Sequence, residues 1–252
     1  MLSFSRLGKG QALILIHGFF ESKEIWKEFA AALSENHTVY GLDLPGFGGS
    51  SLLQNSISIE EVALQVDAWI TQQNILDPVV IGHSLGGYVA LALAEIRGAR
   101  LKALGLFHST ALPDDEEKRH TRNKTITFFE KNGIDSYLDS FVPGLVAPQS
   151  VERLSSEIDF LVNEGKRSSA KAGIAYTAAM RDRKDRIEVW RNFPGKKLMI
   201  AGVLDPAVKI DNSRLHREST DVYVELESVG HLGMIEAPDN CLSAIKTFLQ
   251  AV

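Results

Sequence analysis

The stretch PVVIGHSLGG, residues 78–87, decides the fold that this sequence predicts. It begins with apolar, mostly β-branched residues, which are typical of a buried β-strand. From Leu85 onward apolar residues recur at helical spacing, so the strand turns into a helix at Ser84. Gly82 and Gly86 flank this serine, where a side chain would crowd the turn. The pattern is the G-x-S-x-G nucleophile elbow, which holds a serine hydroxyl above the end of a sheet.

Composition excludes several classes of protein. The 252 residues are 44% hydrophobic and 23% charged, with a net charge of -5, as in an ordinary globular domain. There is no basic stripe for nucleic acid, and no apolar run near the N-terminus long enough for a signal peptide or membrane span. The single cysteine, Cys241, excludes an internal disulfide and suits a reducing compartment. We therefore predict a cytoplasmic protein with a small-molecule substrate, no nucleic-acid partner and no membrane span; its oligomeric state stays open.

Strand and helix signals alternate up to Thr110. Strands are predicted at residues 2–7, 13–16, 38–42, 78–81 and 101–107. One intervening helix begins at a capping box, Ser58 with Glu61. This alternation predicts a mostly parallel sheet with helices on both faces. Only one strand fits before Leu13, so we expect about seven strands in total.

The alternation stops after Thr110. Between residues 111 and 191 the sequence predicts helices at 116–131, 134–141, 151–163 and 166–180, and no strand. Strand signals resume at 197–201 and 222–226. We therefore predict a core domain formed by residues 1–110 and 192–252, with residues 111–191 inserted as a helical cap subdomain.

A base and an acid for Ser84 are found after two later strands. A serine hydroxyl needs a base to remove its proton, and the base needs an orienting partner. In an open α/β sheet the site lies at the carboxyl ends of the strands. His231 follows the strand at 222–226, and Asp205 follows the strand at 197–201. We predict Ser84, His231 and Asp205 as the catalytic residues, with Asp211 as the nearest competing acid.

Two backbone amides are predicted to form an oxyanion hole. Acyl transfer requires donors for the negative oxygen that develops on the carbonyl. The N–H of Leu85, directly after the nucleophile, is the first donor. The second is the N–H of Phe19, in the loop His17-Gly18-Phe19 that follows the strand at 13–16.

Five motifs occur in order at strand ends: His17-Gly18-Phe19, Asp43-x-Pro45-Gly46-x-Gly48-x-Ser50, Gly82-His83-Ser84-Leu85-Gly86-Gly87, Gly202-x-x-Asp205 and Gly230-His231. With this set the sequence resembles the α/β-hydrolase superfamily over nearly the whole chain. The resemblance implies an α/β-hydrolase fold and a Ser-His-Asp hydrolase with a helical cap. The elbow is similar to those of capped serine esterases, lactonases and carbon–carbon bond hydrolases. It differs from those of haloalkane dehalogenases and epoxide hydrolases, whose nucleophile is aspartate.

The expected activity is hydrolysis of a small, fairly apolar carboxylic ester through an acyl-enzyme, without cofactor or metal. The seven histidines show no paired metal-ligand spacing. One alternative keeps the same triad in a cofactor-free lyase or carbon–carbon bond hydrolase. An alternative of another class is a non-catalytic ligand-binding member of the fold.

The sequence also suggests residues for the substrate pocket. The candidates are aromatic or follow a strand: Phe20, His108, Phe128, Tyr137 and Tyr176. Each also fits a packing role, and for His108 a buried hydrogen-bonded role is at least as good. Arg119, Arg122 and Lys124 either meet an anionic substrate, such as a carboxylate or a phosphopantetheine carrier, or form a solvated helix face. A solvated face is the commoner role for such a run, and the sequence favours it.

Overall fold

The computed structural model describes residues 2–52, 54 and 56–252, which contain a single seven-stranded sheet. The strands are β1 (Phe4–Leu7), β2 (Gln11–Ile16), β3 (His37–Leu42), β4 (Val79–His83), β5 (Ala103–Phe107), β6 (Lys196–Gly202) and β7 (Val222–Leu226). Their order in the sheet is β1-β3-β2-β4-β5-β6-β7. β1 pairs with β3 antiparallel at one edge, and every other pairing is parallel. The predicted mostly parallel α/β sheet of about seven strands is confirmed.

The sheet interior is apolar because helices cover it. All residues of β4 and β5 are buried, as expected of strands covered on both faces. The flanking helices are α1 (Lys27–Leu33), α2 (Ile59–Gln72), α3 (Leu85–Arg97) and, near the C-terminus, α11 (Pro238–Gln250). α2 packs on α3, which contacts β4 and β5, and α11 packs on β6, β7 and α1.

The predicted capping box begins α2. The Ser58 hydroxyl accepts the Glu61 N–H at 3.1 Å, and the Glu61 carboxylate accepts the Ser58 N–H at 2.7 Å. These two bonds satisfy amide groups that would otherwise lack partners in the first turn of the helix.

Helices fill the chain between β5 and β6. They are α4 (Glu116–Asn132), α5 (Asp135–Phe141), α6 (Ser155–Lys166), α7 (Ala170–Arg181) and α8 (Ile187–Asn192). α4 packs along α7, and α5 packs on α6. α6 begins later than predicted because a short 3₁₀ turn, Pro148–Ser150, and a further turn precede it. α7 begins at Ala170 because the Ser169 hydroxyl caps it, accepting the Ala172 N–H.

Two short helices complete the fold, α9 (Ile210–Arg214) after β6 and α10 (Gly233–Glu236) after β7. In the stretches that the structure describes, no helix combines the length and the apolar character needed to cross a membrane.

The parallel strands bring the site together. Because β2, β4, β5, β6 and β7 run in one direction, the loops that follow them meet at one edge of the sheet. The loop residues 17–20, Ser84, His108, Asp205 and His231 all lie directly after these strands or a few residues beyond them.

Candidate active site

Ser84 occupies a strained turn between β4 and α3. Its backbone has φ 50° and ψ -116°, a conformation that favours glycine and costs other residues about 1–3 kcal/mol. The Ser84 N–H donates to the Phe107 carbonyl at 3.0 Å, and the Ser109 hydroxyl donates to the Ser84 carbonyl at 2.8 Å. A Cβ at Gly82 would lie only 2.2 Å from the Gly86 carbonyl oxygen, so the turn requires glycine there. These contacts fix the position from which the Ser84 side chain projects.

The predicted oxyanion donors are the backbone amides of Phe19 and Leu85. The Leu85 N–H opens α3, and the Phe19 N–H lies in the loop after β2. Within residues 2–52, 54 and 56–252, neither amide donates to a protein acceptor. The loop that carries Phe19 is held in place, because the Gly18 N–H donates to the Glu21 carboxylate at 2.6 Å and His17 Nε2 accepts the Leu44 N–H at 2.9 Å.

His231 and Asp205 form a buried pair. His231 Nδ1 donates to Asp205 Oδ2 at 2.8 Å. Asp205 Oδ1 accepts the N–H groups of Ala207 and Val208, each at 2.8 Å. Burial acts to raise the pKa of Asp205, but the charge of His231 and its hydrogen bond outweigh burial and hold the pKa far below its ordinary value. Asp205 is therefore an ionised carboxylate with both oxygens engaged.

The competing acid lies elsewhere. The Asp211 side chain is 88% exposed and pairs with Arg214 at 3.3 Å. The structure therefore places Asp205, and not Asp211, on the imidazole of His231.

Ser84 and His231 line the same cavity, which has a volume of about 330 Å³. No hydrogen bond joins the Ser84 hydroxyl to the His231 ring in the described chain. In ligand-free enzymes, contacts between a nucleophile and its base are often longer than in the complex with substrate. The cavity thus brings together Ser84, His231 and Phe19.

A second histidine lies against Asp205. His108 Nδ1 accepts the Gly202 N–H at 3.2 Å and is 3.4 Å from Asp205 Oδ2. Its Nε2 has no partner among the described residues. Burial lowers the pKa of His108 to about 4, so the ring is neutral near pH 7. His108 is completely buried and packs against Asp205.

The donor atoms of His108, Asp205 and His231 lie within 4.8 Å of one another, which is a possible metal-ligand set. Two ligand atoms on one tetrahedral zinc ion are about 3.3 Å apart, since each bond is about 2.0 Å long. The separation of 2.8 Å between His231 Nδ1 and Asp205 Oδ2 is that of a hydrogen bond. The contact between His231 and Asp205 therefore has the length of a hydrogen bond and is shorter than the distance between two ligand atoms on one zinc ion.

A buried ion pair that the sequence analysis missed connects three loops of the site. The Glu21 carboxylate contacts His83 Nδ1 at 2.9 Å and also accepts the Gly18 N–H. His83 Nε2 donates to the His231 carbonyl at 3.0 Å. No local signal in the sequence marks this pair, because Glu21 begins an ordinary polar stretch, ESKE at residues 21–24.

The pKa shifts of both members favour their charged forms. Burial acts to lower the pKa of His83, but the charge of Glu21 and its hydrogen bond outweigh burial and raise it. Burial acts likewise to raise the pKa of Glu21, and the charge of His83 reverses this and lowers it. A doubly protonated His83 donates from both ring nitrogens, which joins the loops that carry Phe19, Ser84 and His231.

Of the predicted pocket residues, Tyr137 lines the cavity and four others do not. Phe20 and Tyr176 are buried and pack against Phe47, with ring centroids 5.9 Å and 4.8 Å away. Phe128 is 37% exposed, and His108 lies behind Asp205. The cavity is also lined by Phe141, another aromatic residue of the segment 111–191, and by Tyr88 and Met180, which sequence reasoning did not select. Arg122 also lines it, whereas Arg119 and Lys124 do not.

The sequence is similar to proteins of known family and function. A model of the alpha/beta hydrolase family matches residues 13–244. The acetyltransferase component of the acetoin cleaving system of Pseudomonas putida is 26% identical over 244 residues, covering 96% of this chain and 64% of that protein. The pimeloyl-[acyl-carrier protein] methyl ester esterase of Vibrio cholerae is 37% identical over 87 residues, covering 34% of this chain and 32% of that protein. The chain therefore matches less than two thirds of the length of these curated relatives.

Two solved structures share the fold. An esterase from Thermogutta terrifontis superposes with a TM-score of 0.93 at 23% identity, covering 99% of this chain and 93% of that one. The enol-lactonase of Burkholderia xenovorans LB400 superposes with a TM-score of 0.91 at 20% identity, covering 99% and 96%. The predicted α/β-hydrolase fold is thereby confirmed.

Proposed function

The chain belongs to the alpha/beta hydrolase family, and from that premise we propose that it is a serine hydrolase that cleaves carboxylic esters. The observation that carries the proposal is the His231–Asp205 hydrogen bond of 2.8 Å, in the cavity that Ser84 also lines. Esterases and an enol-lactonase among the similar proteins support ester bonds as the target, since a lactone is an internal ester.

In the first step, His231 Nε2 takes the proton of the Ser84 hydroxyl as Oγ attacks the ester carbonyl carbon. Asp205 accepts a hydrogen bond from His231 Nδ1–H, which fixes the tautomer that leaves Nε2 free as a base. The carboxylate also stabilises the imidazolium that forms.

The carbonyl oxygen becomes an oxyanion during this attack. The amides of Phe19 and Leu85, which have no acceptor among the described residues, are the donors proposed to stabilise it. His231 then gives its proton to the leaving alcohol, which leaves an acyl-enzyme on Ser84. A water molecule deprotonated by His231 hydrolyses that acyl-enzyme and restores the serine. Apart from the substrate and this water, every step of the proposed mechanism uses groups of this chain.

The helices of residues 111–191 are proposed to cover the site as a cap. Tyr137, Phe141 and Met180 belong to this segment and line the cavity together with Ser84. Its apolar side chains suit a small, fairly apolar acyl or alcohol group.

The test is hydrolysis of a panel of p-nitrophenyl esters, with fluorophosphonate labelling of the serine. We expect turnover with a burst of acyl-enzyme, and we expect Ser84→Ala to lower kcat by about 10⁴-fold or more and to abolish labelling. Complete inertness of the wild-type protein to esters and to the label would reject the proposal. Inertness combined with tight retention of a ligand would favour a binding protein, and lyase or carbon–carbon cleavage without ester turnover would favour the alternative chemistry.

A further inference from the structure

Arg122 presents unused hydrogen-bond donors to the cavity. Its side chain is 23% exposed, and its Nε donates to Asp114 Oδ2 at 3.1 Å. Neither Nη atom has a protein partner within the described ranges of the chain. A guanidinium anchored through Nε retains two parallel Nη–H groups, which match the two oxygens of a carboxylate.

The anchor of Arg122 is rigid. The Asp114 side chain is fully buried, and its other oxygen accepts Arg183 Nη1 at 2.5 Å. Arg183 also donates to the carbonyl oxygens of Leu112 and Met180 and lies 4.2 Å from the centroid of the Tyr88 ring. Arg122 is therefore positioned before any ligand arrives, which reduces the entropy lost on binding.

This cluster carries an excess of positive charge. Burial acts to raise the pKa of Asp114, but Arg183 and Arg122 outweigh burial and lower it, so Asp114 is a carboxylate. One carboxylate is shared between two guanidinium groups, which leaves a net charge of about +1.

The other charged residues of the lining do not cancel this excess. The two positive charges of Lys118 and Lys209 are balanced by the two negative charges of Asp115 and Glu117. The net positive charge at the cavity therefore comes from the cluster of Arg122, Asp114 and Arg183. Lys118 Nζ is already bound to the Ala207 carbonyl at 2.7 Å, and the Asp115 side chain caps α4.

A second donor lies near Arg122. Tyr137 lines the cavity, and its pKa is raised to about 12 by burial, against the opposing charge of Arg122. Its hydroxyl therefore keeps its proton and can donate a hydrogen bond.

We propose that Arg122, assisted by Tyr137, binds a carboxylate group of the substrate, so that the preferred substrate is an ester with a free carboxylate remote from the scissile bond. Half esters of dicarboxylic acids are the simplest members of this class. The inference rests on the proposed ester hydrolysis and adds the chemical class of the substrate to it.

The experiment compares monoethyl and diethyl esters of a series of unbranched dicarboxylic acids. The quantity measured is the ratio of kcat/KM for the half ester to kcat/KM for the diester of the same acid. This ratio does not change with the fraction of correctly folded enzyme, so a destabilised variant remains informative. We expect the wild-type protein to prefer half esters and Arg122→Gln to lower the ratio by about 10- to 100-fold. Arg122→Lys should retain part of the preference, because it keeps the charge and loses the planar fork.

Arg119→Gln is the matched control. Arg119 lies on the same helix and loses the same charge, but it is exposed, does not line the cavity and donates to the Arg181 carbonyl. This variant should keep the wild-type ratio. Inorganic phosphate, tested as an inhibitor beside a free dicarboxylate, separates carboxylate from phosphate recognition.

The outcomes distinguish the two proposals. Serine-dependent cleavage of the diester without preference for the half ester, or an unchanged ratio in Arg122→Gln, would overturn the carboxylate subsite and leave ester hydrolysis standing. An equal fall of the ratio in Arg119→Gln, or stronger Arg122-dependent inhibition by phosphate, would overturn it as well. If neither ethyl ester is cleaved while p-nitrophenyl esters are, the subsite fails and ester hydrolysis stands. If all esters and the fluorophosphonate label fail, both proposals fail.

Discussion

At the scale of single residues, hydrogen bonds to both carboxylate oxygens hold the Asp205 side chain in one orientation. One of its oxygens accepts a hydrogen bond from His231 Nδ1–H, and the other accepts hydrogen bonds from two backbone N–H groups. The amides fix the plane of the carboxylate, so the oxygen facing His231 cannot turn away. Replacing that oxygen by an NH₂ group would reverse the direction of the hydrogen bond and place the His231 proton on Nε2.

We therefore expect Asp205→Asn to lower kcat on an ester by about 10⁴-fold, because the imidazole then has the wrong tautomer to act as a base. Steady-state kinetics on the ester that the wild-type protein cleaves best would measure this. Asp211→Asn is the control, since Asp211 is 88% exposed and should have little effect. Near-normal activity of Asp205→Asn would contradict the proposed role.

At the scale of elements, the Glu21–His83 pair joins the loop after β2, the elbow after β4 and the loop after β7. These loops carry one oxyanion donor, the nucleophile and the base of the proposed mechanism. Neither Glu21 nor His83 lines the cavity, so the pair acts by positioning these groups.

We expect Glu21→Gln to lower the free energy of unfolding by about 1.5–3 kcal/mol, the usual contribution of hydrogen bonds to charged groups. It should also lower kcat with little change in KM, because the cavity lining is unchanged. Glu24→Gln is the control, because the Glu24 side chain is 46% exposed and its carboxylate lies 3.8 Å from Lys23 Nζ, a long surface contact that contributes little to stability. Urea unfolding and ester kinetics measure the two effects, and equal behaviour of the two variants would reject the positioning role.

The pH dependence of this destabilisation has a defined sign. The raised pKa of His83 gives stability that is complete below its ordinary value of 6.5 and is lost as the pH rises through the raised pKa. The lowered pKa of Glu21 gives stability that is present above 4.5 and is lost as the pH falls through the lowered pKa. The stability difference between wild type and Glu21→Gln should therefore be largest between pH 4.5 and 6.5 and smaller on either side. A difference that is constant with pH would show that the pair is not charged.

At the scale of the whole molecule, Arg186 attaches the end of the helical segment to the helices on the sheet. Its side chain is 3% exposed and donates to Glu60 of α2 at 2.7 Å and to Glu95 of α3 at 3.1 Å. Its backbone N–H donates to the Ala111 carbonyl at 2.8 Å, which joins the two ends of the segment. Arg186 thus joins the two ends of the segment 111–191 and attaches them to α2 and α3, the helices that pack on the sheet.

We expect Arg186→Gln to lower the free energy of unfolding by about 1.5–3 kcal/mol and to speed proteolytic cleavage within residues 111–191. Arg191→Gln is the matched control, because Arg191 is 51% exposed and its ion pair is with Glu188 in the same turn of α8. Limited proteolysis followed by mass spectrometry would locate the cleavage. Equal protection of both variants would show that Arg186 does not hold the segment.

The sequence predicted the elements well where the signal was local. The elbow, the seven strands and the capping box at Ser58 are present as expected. In the structure α6 and α7 begin four residues later than the sequence predicted, because the apolar periodicity extends through the turns that precede these helices. The division into a core and a cap subdomain, and the catalytic roles of the site residues, stay predictions.

The sequence by itself determined which residues come together at the edge of the sheet. Hydrophobic periodicity and turn residues set the order of strands and helices, and parallel strands place the loops that follow them at one edge. Ser84, Asp205 and His231 were therefore identifiable before the structure was known.

Only the tertiary structure decided which of the remaining polar residues meet. Glu21 and His83 are 62 residues apart and Asp114 and Arg183 are 69 apart, so no local pattern predicts their contacts. Arg122 lines the cavity and Arg119, one turn before it on α4, does not, because Arg122 pairs with Asp114 whereas Arg119 donates to the Arg181 carbonyl. Sequence periodicity fixes which residues share a face, whereas the direction of a polar face depends on side chains far away along the chain.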